Sequence, residues 1–498
     1  MEKVPSQTSS DPEKPGNDSS ELSSLSDTTP LDPAVGRVIW RKIDLWILPV
    51  VSMFYFLSFL DRSNIGNARV AGLQKDLNMT NREYSIALTV TYVPYIVAEL
   101  PSNLLLKVRP LRSLAVGPNL MLPTMLTLWG VVTTLQGAVT SYAGLLACRF
   151  FLGLFEGGVL PGLVLYLSFF YPRQQLQWRV SLFFSTASIS GAFSGLMAYG
   201  IIHMEGVGHR PGWAWIFILE GLFTMIFGLC TYFLLPRTPA HAHFLNEAEK
   251  AYVVAKLRET GATSNDDASD EFSWSEVWQA FTLPQVWMVS VIFFFNGVIL
   301  YGLAYFTPSI VQSLGYSATR TQLMSVPPFA TAFFVNLVAA YISDHYHCRG
   351  FVTMFSCTLC IIGFAMYLAS SSPSVKYGSL FLSIPGTYCS APALSTWGAN
   401  NAAPHARRAT AIAIGFIVSN SGGILATWLL GTLSPPPLYR KATLTLLIMS
   451  VFMVAVTAMN TYYLWVQNKK KAAIRATMDR SKESPDLGDK SAWFIYNL

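Results

Sequence analysis

From residue 43 onward the chain alternates between apolar stretches of membrane length and short polar connections. Twelve such stretches can be read, at roughly 43–69, 85–106, 113–135, 142–169, 179–202 and 213–235, then 285–306, 322–342, 351–370, 377–398, 409–431 and 442–466. Each approaches or exceeds the ~20 residues a helix needs to cross ~30 Å of hydrocarbon. The alternation expected of barrel strands is absent, so helices must satisfy the backbone within the membrane. The pattern predicts an all-α membrane protein with twelve transmembrane helices in two six-helix bundles. It divides into a polar tail at 1–36, a first bundle at 37–235, a central loop at 236–284, a second bundle at 285–466 and a C-terminal tail at 467–498. The first tail is rich in Ser, Pro, Asp and Glu and reads as disordered. In the loop, Asn246-Glu247-Ala248-Glu249 reads as a capped helix start, and Phe272 to Trp278 reads as an interfacial segment. A 6 + 6 division around a long loop suits a binding site between two bundles.

Composition strengthens this picture. Hydrophobic residues make up 52% of the chain and charged residues 12%, with a mean hydropathy of +0.39; soluble domains carry about twice that charged fraction. Basic residues concentrate in the loops on the side of the N-terminus, among them Arg37, Arg41, Lys42, Lys107, Arg109, Arg112 and Lys469 to Lys471, which predicts that both termini are cytosolic. The first loop on the opposite side holds the sequon Asn78-Met79-Thr80, a candidate glycosylation site. The six cysteines lie mostly within spans, and Cys357-Thr358-Leu359-Cys360 falls in an apolar one, where packing is expected rather than redox chemistry. His345, His347 and Cys348 lack a fourth ligand at finger-like spacing, so no metal site is expected.

Charges inside the spans carry the functional signal. By insertion scales each costs ~2.5–3.5 kcal/mol at the bilayer centre, so such residues usually face a partner or a watery path. Arg149 and Glu156 stand seven residues apart in the fourth span, two turns along nearly one face, beside the small-residue seam of Gly153 and Gly157. Asp61 and Arg62 lie in the outer part of the first span. Arginine offers a planar fork matched to a carboxylate, which makes Arg62 the candidate anion anchor and Asn64 a neutral helper. The alternative is an ion pair of Asp61 or Arg62 that only holds the outer end closed. Glu156 is the candidate proton carrier, joined in coupling by Asp61, and Arg149 either binds the anion or modulates the proton site. A static Arg149–Glu156 pair is the structural alternative. Glu99 and Glu220 read as partners of basic neighbours. The spans of the second half are nearly free of charge but carry Asn296, Tyr301, Tyr305, Asn336, Trp397, Asn400 and Asn420. Of these, Asn296, Tyr301 and Trp397 are candidate substrate contacts suited to a flat or amphipathic acid. Pro308, Pro327, Pro328, Pro385 and Pro392 are candidate bending points.

These residues resemble the major facilitator superfamily over about 40–466. Arg149-x3-Gly153-x3-Gly157-x3-Pro161-Gly162 is similar to its fourth-helix signature, and Ala340-Tyr341-Ile342-Ser343-Asp344-x4-Arg349 to its inner-loop gate pattern. The first-half counterpart, Pro101 to Arg112, keeps Lys107, Arg109 and Arg112 but lacks the aspartate, so Arg112, Asp344 and Arg349 are the gate candidates of an asymmetric pair. Phe59-Leu60-Asp61-Arg62-Ser63-Asn64-Ile65-Gly66-Asn67-Ala68, Trp213 to Gly221 and Leu235 to Pro239 resemble the fungal anion:cation symporter branch, the allantoate, nicotinate and pantothenate permeases. That resemblance implies proton-coupled uptake of a small organic carboxylate by alternating access, driven by the proton gradient without a cofactor. The expected partners are the anion, protons and the bilayer, with no nucleic acid and no required oligomer, and the basic tails without a clear sorting signal point to the plasma membrane.

Rival classes differ in what they would require. A primary pump needs a nucleotide site, and no G-x-x-x-x-G-K-[ST] is present. An enzyme needs clustered nucleophile, base or metal ligands, whereas these charges are spread over four spans, so no catalysis is expected. Efflux of a secondary metabolite and a non-transporting nutrient receptor both stay open as readings, because neither direction nor turnover is written in such a pattern.

Overall fold

The computed structural model describes residues 33–107, 117–259, 274–346, 348–403, 405–434, 439–477, 483 and 485–498. The described residues divide into two units, one ending at Leu45 and one spanning Trp46–Leu498. All contacts described below are within the second.

The first bundle is formed by α1 (Pro33–Val70), α2 (Asn81–Lys107), α3 (Pro118–Gln136), the broken fourth span of α4 (Tyr142–Glu156) and α5 (Val159–Ser168), α6 (Arg173–Ile201) and α7 (Gly212–Leu234). In the central loop stand α8 (Glu247–Glu259) and α9 (Trp274–Thr282). The second bundle comprises α10 (Pro284–Gln312), α11 (Ala318–Tyr346), α12 (Arg349–Ala369), α13 (Pro373–Asn400), α14 (His405–Trp428), which continues in a π-turn to Leu433, and α15 (Arg440–Thr477). Among the described residues nine helices meet the length and hydropathy of a membrane span. Apolar side chains such as Val97, Phe233, Phe334 and Phe452 are exposed, as the lipid-facing surface of such helices requires. One face, the loop face, carries α8, α9 and the C-terminal segment; the turn face carries the α1–α2 connection.

Local chemistry explains several boundaries. Thr80 and Glu83 form a reciprocal cap at the start of α2, with the Thr80 N–H donating to Glu83 Oε2 (2.8 Å) and the Glu83 N–H to Thr80 Oγ1 (3.2 Å). Asn246 N–H donates to Glu249 Oε2 (2.8 Å), as the capped start read from the loop sequence anticipates. The fourth span breaks at Gly157 and Gly158, so Glu156 is the last residue of α4. A Cβ at Gly153 would collide with the Thr91 carbonyl, and one at Gly157 with the Tyr95 carbonyl. The seam therefore seats α4 directly on α2. Pro308, Pro327, Pro328, Pro385 and Pro392 all lie inside continuous helices, so none of them ends one.

The bundles meet along α6 with α11 and α13, and along α2 with α14. Towards the turn face the junction is polar and close. Ser85 Oγ donates to the Thr427 carbonyl (3.1 Å) and lies 2.9 Å from Thr432 Oγ1. Gln322 Nε2 donates to the Asn67 carbonyl (3.1 Å), and Tyr92 OH donates to Tyr305 OH (3.0 Å).

Candidate functional site

Both bundles contribute to one central cavity. It is small, about 40 Å³, room for a few waters at most, and its lining includes Ser58, Phe59, Arg62, Tyr95, Glu156, Phe184, Asn296, Tyr301, Phe416 and Asn420. Arg62 is its centre. The side chain leaves α1 among the rings of Phe59, Tyr95 and Tyr301, each 5.2–5.3 Å from the guanidinium carbon, an arrangement that favours a desolvated cation. Nη2 pairs with Glu156 Oε1 at 2.9 Å, and Nη1 donates to Tyr301 OH at 3.0 Å. Tyr301 OH in turn donates to Asn420 Oδ1 (3.0 Å). Ser58 Oγ, one turn before Arg62 on α1, donates to the same Glu156 oxygen. A chain of polar contacts thus runs from α4 through α1 to α10 and α14, crossing from one bundle to the other.

Asn296 on α10 also lines the cavity, its Oδ1 accepting from Thr387 Oγ1 (3.0 Å) and Ser390 Oγ (2.5 Å) of α13. On the loop-face side of Arg62 the rings of Phe184 (α6) and Phe416 (α14) lie nearly parallel, with centroids 6.2 Å apart. This aromatic contact is apolar, in contrast to the hydroxyl and amide contacts towards the turn face.

The sequence candidates separate in the fold. Arg62, Glu156, Asn296 and Tyr301 come together in the cavity. Asp61 does not: it follows the helical turn away from Arg62, and its Oδ2 accepts from Trp129 Nε1 of α3 at 3.0 Å. Asn64 sits on the opposite side of α1 from Arg62 and accepts from Ser194 Oγ of α6 at 3.0 Å, a contact within the first bundle. Arg149 and Glu156 share a face but are two turns, ~10 Å, apart along the helix axis. Glu156 is held by Arg62, and the static Arg149–Glu156 pair does not form; Arg149 is buried over the Phe217 ring with Nε and Nη2 unpartnered. Glu220, read as the partner of a basic neighbour, is buried with both carboxylate oxygens lacking a hydrogen bond, and the basic charge that acts on it is that of Arg149. Trp397 lies away from the cavity, packed with Val289, Ile292 and Phe293 and donating from Nε1 to the Asn497 carbonyl (2.9 Å).

Of the gate candidates, Arg112 and the side chain of Asp344 lie outside the described residues, while Arg349 is buried as the first residue of α12. Asn78 is exposed in the α1–α2 connection with φ of 49°. No group of three or more His, Cys, Asp or Glu that could hold a metal occurs among the described residues. Ser58, Tyr95, Phe184 and Phe416 were not singled out from sequence. The i, i+4 relation of Ser58 to Arg62 is the one signal that could have pointed to any of them.

Two helical bundles that close on a buried arginine–carboxylate pair define the class of membrane transporters that expose a central site by moving one bundle against the other. The chain belongs to the Major Facilitator Superfamily, whose sequence model matches residues 51–427. It is 35% identical over 461 residues to an uncharacterized transporter of Schizosaccharomyces pombe, covering 92% of this chain and 89% of that one. It is 32% identical over 475 residues to a high-affinity nicotinic acid transporter of Saccharomyces cerevisiae, covering 94% and 86%. Among solved structures it is similar to a D-xylose–proton symporter, with a TM-score of 0.64 at 13% identity over 84% of this chain and 97% of the other. The protein is thus a multi-pass membrane transporter of small molecules.

Proposed function

We propose that this transporter takes up a small organic carboxylate together with protons, using Arg62 as the anion anchor and Glu156 as the proton carrier. The observation that carries the reading is the occupation of Arg62 by Glu156 at 2.9 Å inside the cavity between the bundles. A substrate carboxylate competes for the same guanidinium. Two carboxylates cannot both be held there at full charge without strong repulsion, so entry of the anion is favoured when Glu156 is neutral. Protonation lets Glu156 release Arg62, and the freed fork takes the substrate carboxylate. Loss of the substrate on the other side returns Arg62 to an ionised Glu156 and discharges the proton. Binding of anion and proton is thereby linked through one charged group rather than through a distant relay.

The second bundle supplies recognition of the remaining substrate surface. Tyr301 and Asn420 hold the far side of Arg62, and Asn296, Phe184 and Phe416 offer amide and ring contacts suited to a flat acid. The present cavity is far below the ~300 Å³ of an ordinary ligand pocket, so the bundles must part to admit substrate. Nicotinate leads the candidate acids because a nicotinic acid transporter is among the relatives; pantothenate and allantoate follow. In this reading the loop face is cytosolic, the membrane is the plasma membrane, and one chain suffices.

The test is uptake of labelled nicotinate, pantothenate and allantoate into cells displaying the chain, at pH 5 and pH 7.5, beside Arg62→Ala. Acid-stimulated uptake of one of these, lost in the variant, is the expected result. A surface-displayed protein that accumulates none of them, yet lowers cellular content of another anion, would establish efflux instead.

A further inference from the structure

The C-terminal segment does not end as a free polar tail. α15 continues to Thr477, well past the apolar stretch, and Asp489–Leu498 lie against the loop-face ends of the second bundle. Asp489 is fully buried in that contact. Its Oδ1 pairs with Arg407 Nη1 near the start of α14, and its Oδ2 accepts from Gln285 Nε2 (3.3 Å) near the start of α10. Its N–H donates to the Ala403 carbonyl (3.1 Å), and its carbonyl accepts from Lys471 Nζ of α15 and from Tyr496 OH (2.9 Å).

Further contacts hold the strap that Asp489 heads. The Asn497 carbonyl accepts from Trp397 Nε1 (2.9 Å) and Asn401 Nδ2 (3.0 Å), the Tyr496 N–H donates to Asn468 Oδ1 (2.9 Å), and the Gly350 N–H donates to the Leu498 carbonyl (3.3 Å). The Tyr496 ring joins the apolar core of Val289, Ile292, Phe293 and Trp397. Arg407 is satisfied on its remaining edges by Glu276 (2.9 Å to Nε) and Gln279 (2.7 Å to Nη2) of α9.

α10 and α14 are the two helices that bring Asn296, Tyr301, Phe416 and Asn420 to the cavity. A buried ion pair adds little net stability over a well-packed apolar substitute, so stability alone is weak grounds for one here. Asp489 instead makes directional contacts with two helix ends at once, Arg407 of α14 and Gln285 of α10. We propose that Asp489 is a positioning residue of the transport cycle: it ties the loop-face ends of α10 and α14 into one rigid unit, so that both helices move together when the cavity opens.

The experiment compares Asp489→Ala and the milder Asp489→Asn with the unaltered full chain, matched for surface abundance, by initial uptake rates and by hydrogen exchange. In Asp489→Ala, kcat is expected to fall about five- to tenfold with KM within about twofold, and amide exchange near Gln285 and Arg407 to rise together. Asp489→Asn, which keeps an acceptor for Gln285, is expected to fall between. A rise in KM with unchanged kcat, or exchange indistinguishable from the unaltered chain in both variants, would overturn the proposal. Should Asp489→Ala fail to reach the surface, Asp489→Asn decides by the same two readouts. The exchange measurement needs no substrate, so a wrong choice of acid leaves this test standing.

Discussion

The two bundles divide the chemistry of the site unequally. The first places Arg62, Glu156, Asp61, Arg149, Glu99 and Glu220 in its interior, all buried. The second meets the cavity with amides, a phenol and rings, namely Asn296, Tyr301, Phe293, Phe416 and Asn420. Its buried ion pair, Arg407 with Asp489, stands at the loop face, close to the ends of its helices. In the proposed reading, the bundle with charge at its centre handles the proton and the anion, while the other meets them with neutral groups. The asymmetry teaches that the two halves offer different chemistry to the cavity, and Arg62–Tyr301 is the contact at which the charged centre of the first meets the neutral polar groups of the second.

Substitutions should break this comparison in order of their reach into the charged centre. Arg62→Ala removes the fork and leaves Glu156 buried without its cation. Charge-assisted hydrogen bonds contribute about 1.5–3 kcal/mol, so apparent affinity for the acid should fall on the order of 100-fold, measured as KM or as displacement of labelled ligand. Arg62→Lys should recover little of it, because an ammonium cannot reproduce the fork. Next comes Tyr301→Phe, which cuts the single hydroxyl joining Arg62 to Asn420. Loss of one such bond is worth about 0.5–1.5 kcal/mol, so KM should rise roughly two- to tenfold while acid stimulation persists. A Tyr301→Phe variant that lost acid stimulation would show the second bundle to be part of the proton chemistry. Smallest are Asn64→Ala and Trp397→Phe, whose contacts run to Ser194 and Asn497 rather than to the cavity. KM should stay within about twofold for both, since substitutions away from the site act mainly on stability; a tenfold rise in either would place that residue back in the substrate path.

Much of the fold was legible because a membrane leaves so few options. Apolar length and the central polar interruption gave twelve helices and two bundles. The two charges that meet in the cavity were visible for the same reason, since Arg62 and Glu156 stand out against apolar neighbours. Their pairing was not. Periodicity within the fourth span suggested Arg149 as the partner of Glu156, but helical phase says nothing of the neighbour that arrives from another helix, and α1 delivers Arg62 to that place. Asn64 and Asp61 show the converse: nearness in sequence to Arg62 put them in the same expectation, while the 100° step per residue sends them to α6 and α3. Tyr95 and Phe184 carried no signal, because aromatics are ordinary packing residues in such helices, and Ser58 carried only its one-turn spacing from Arg62. The strap was hidden for a different reason. The polar stretch after Lys471 reads as a solvated tail, but the run Ala492-Trp493-Phe494-Ile495-Tyr496 that ends it is apolar and was the overlooked signal; the buried partners of Asp489, scattered from Gln285 to Lys471, show that it is docked.

The central claim is that Glu156 couples the proton to the anion by its hold on Arg62, and proteoliposomes carrying Glu156→Gln test it most directly. With the unaltered chain, an inward proton gradient should drive accumulation of the labelled acid, and exchange of acid for acid should proceed without a gradient. The account predicts that Glu156→Gln keeps the exchange, since Arg62 is no longer held by a carboxylate, and loses gradient-driven accumulation. Accumulation at the unaltered level in Glu156→Gln would contradict it and would move the proton to another carboxyl group.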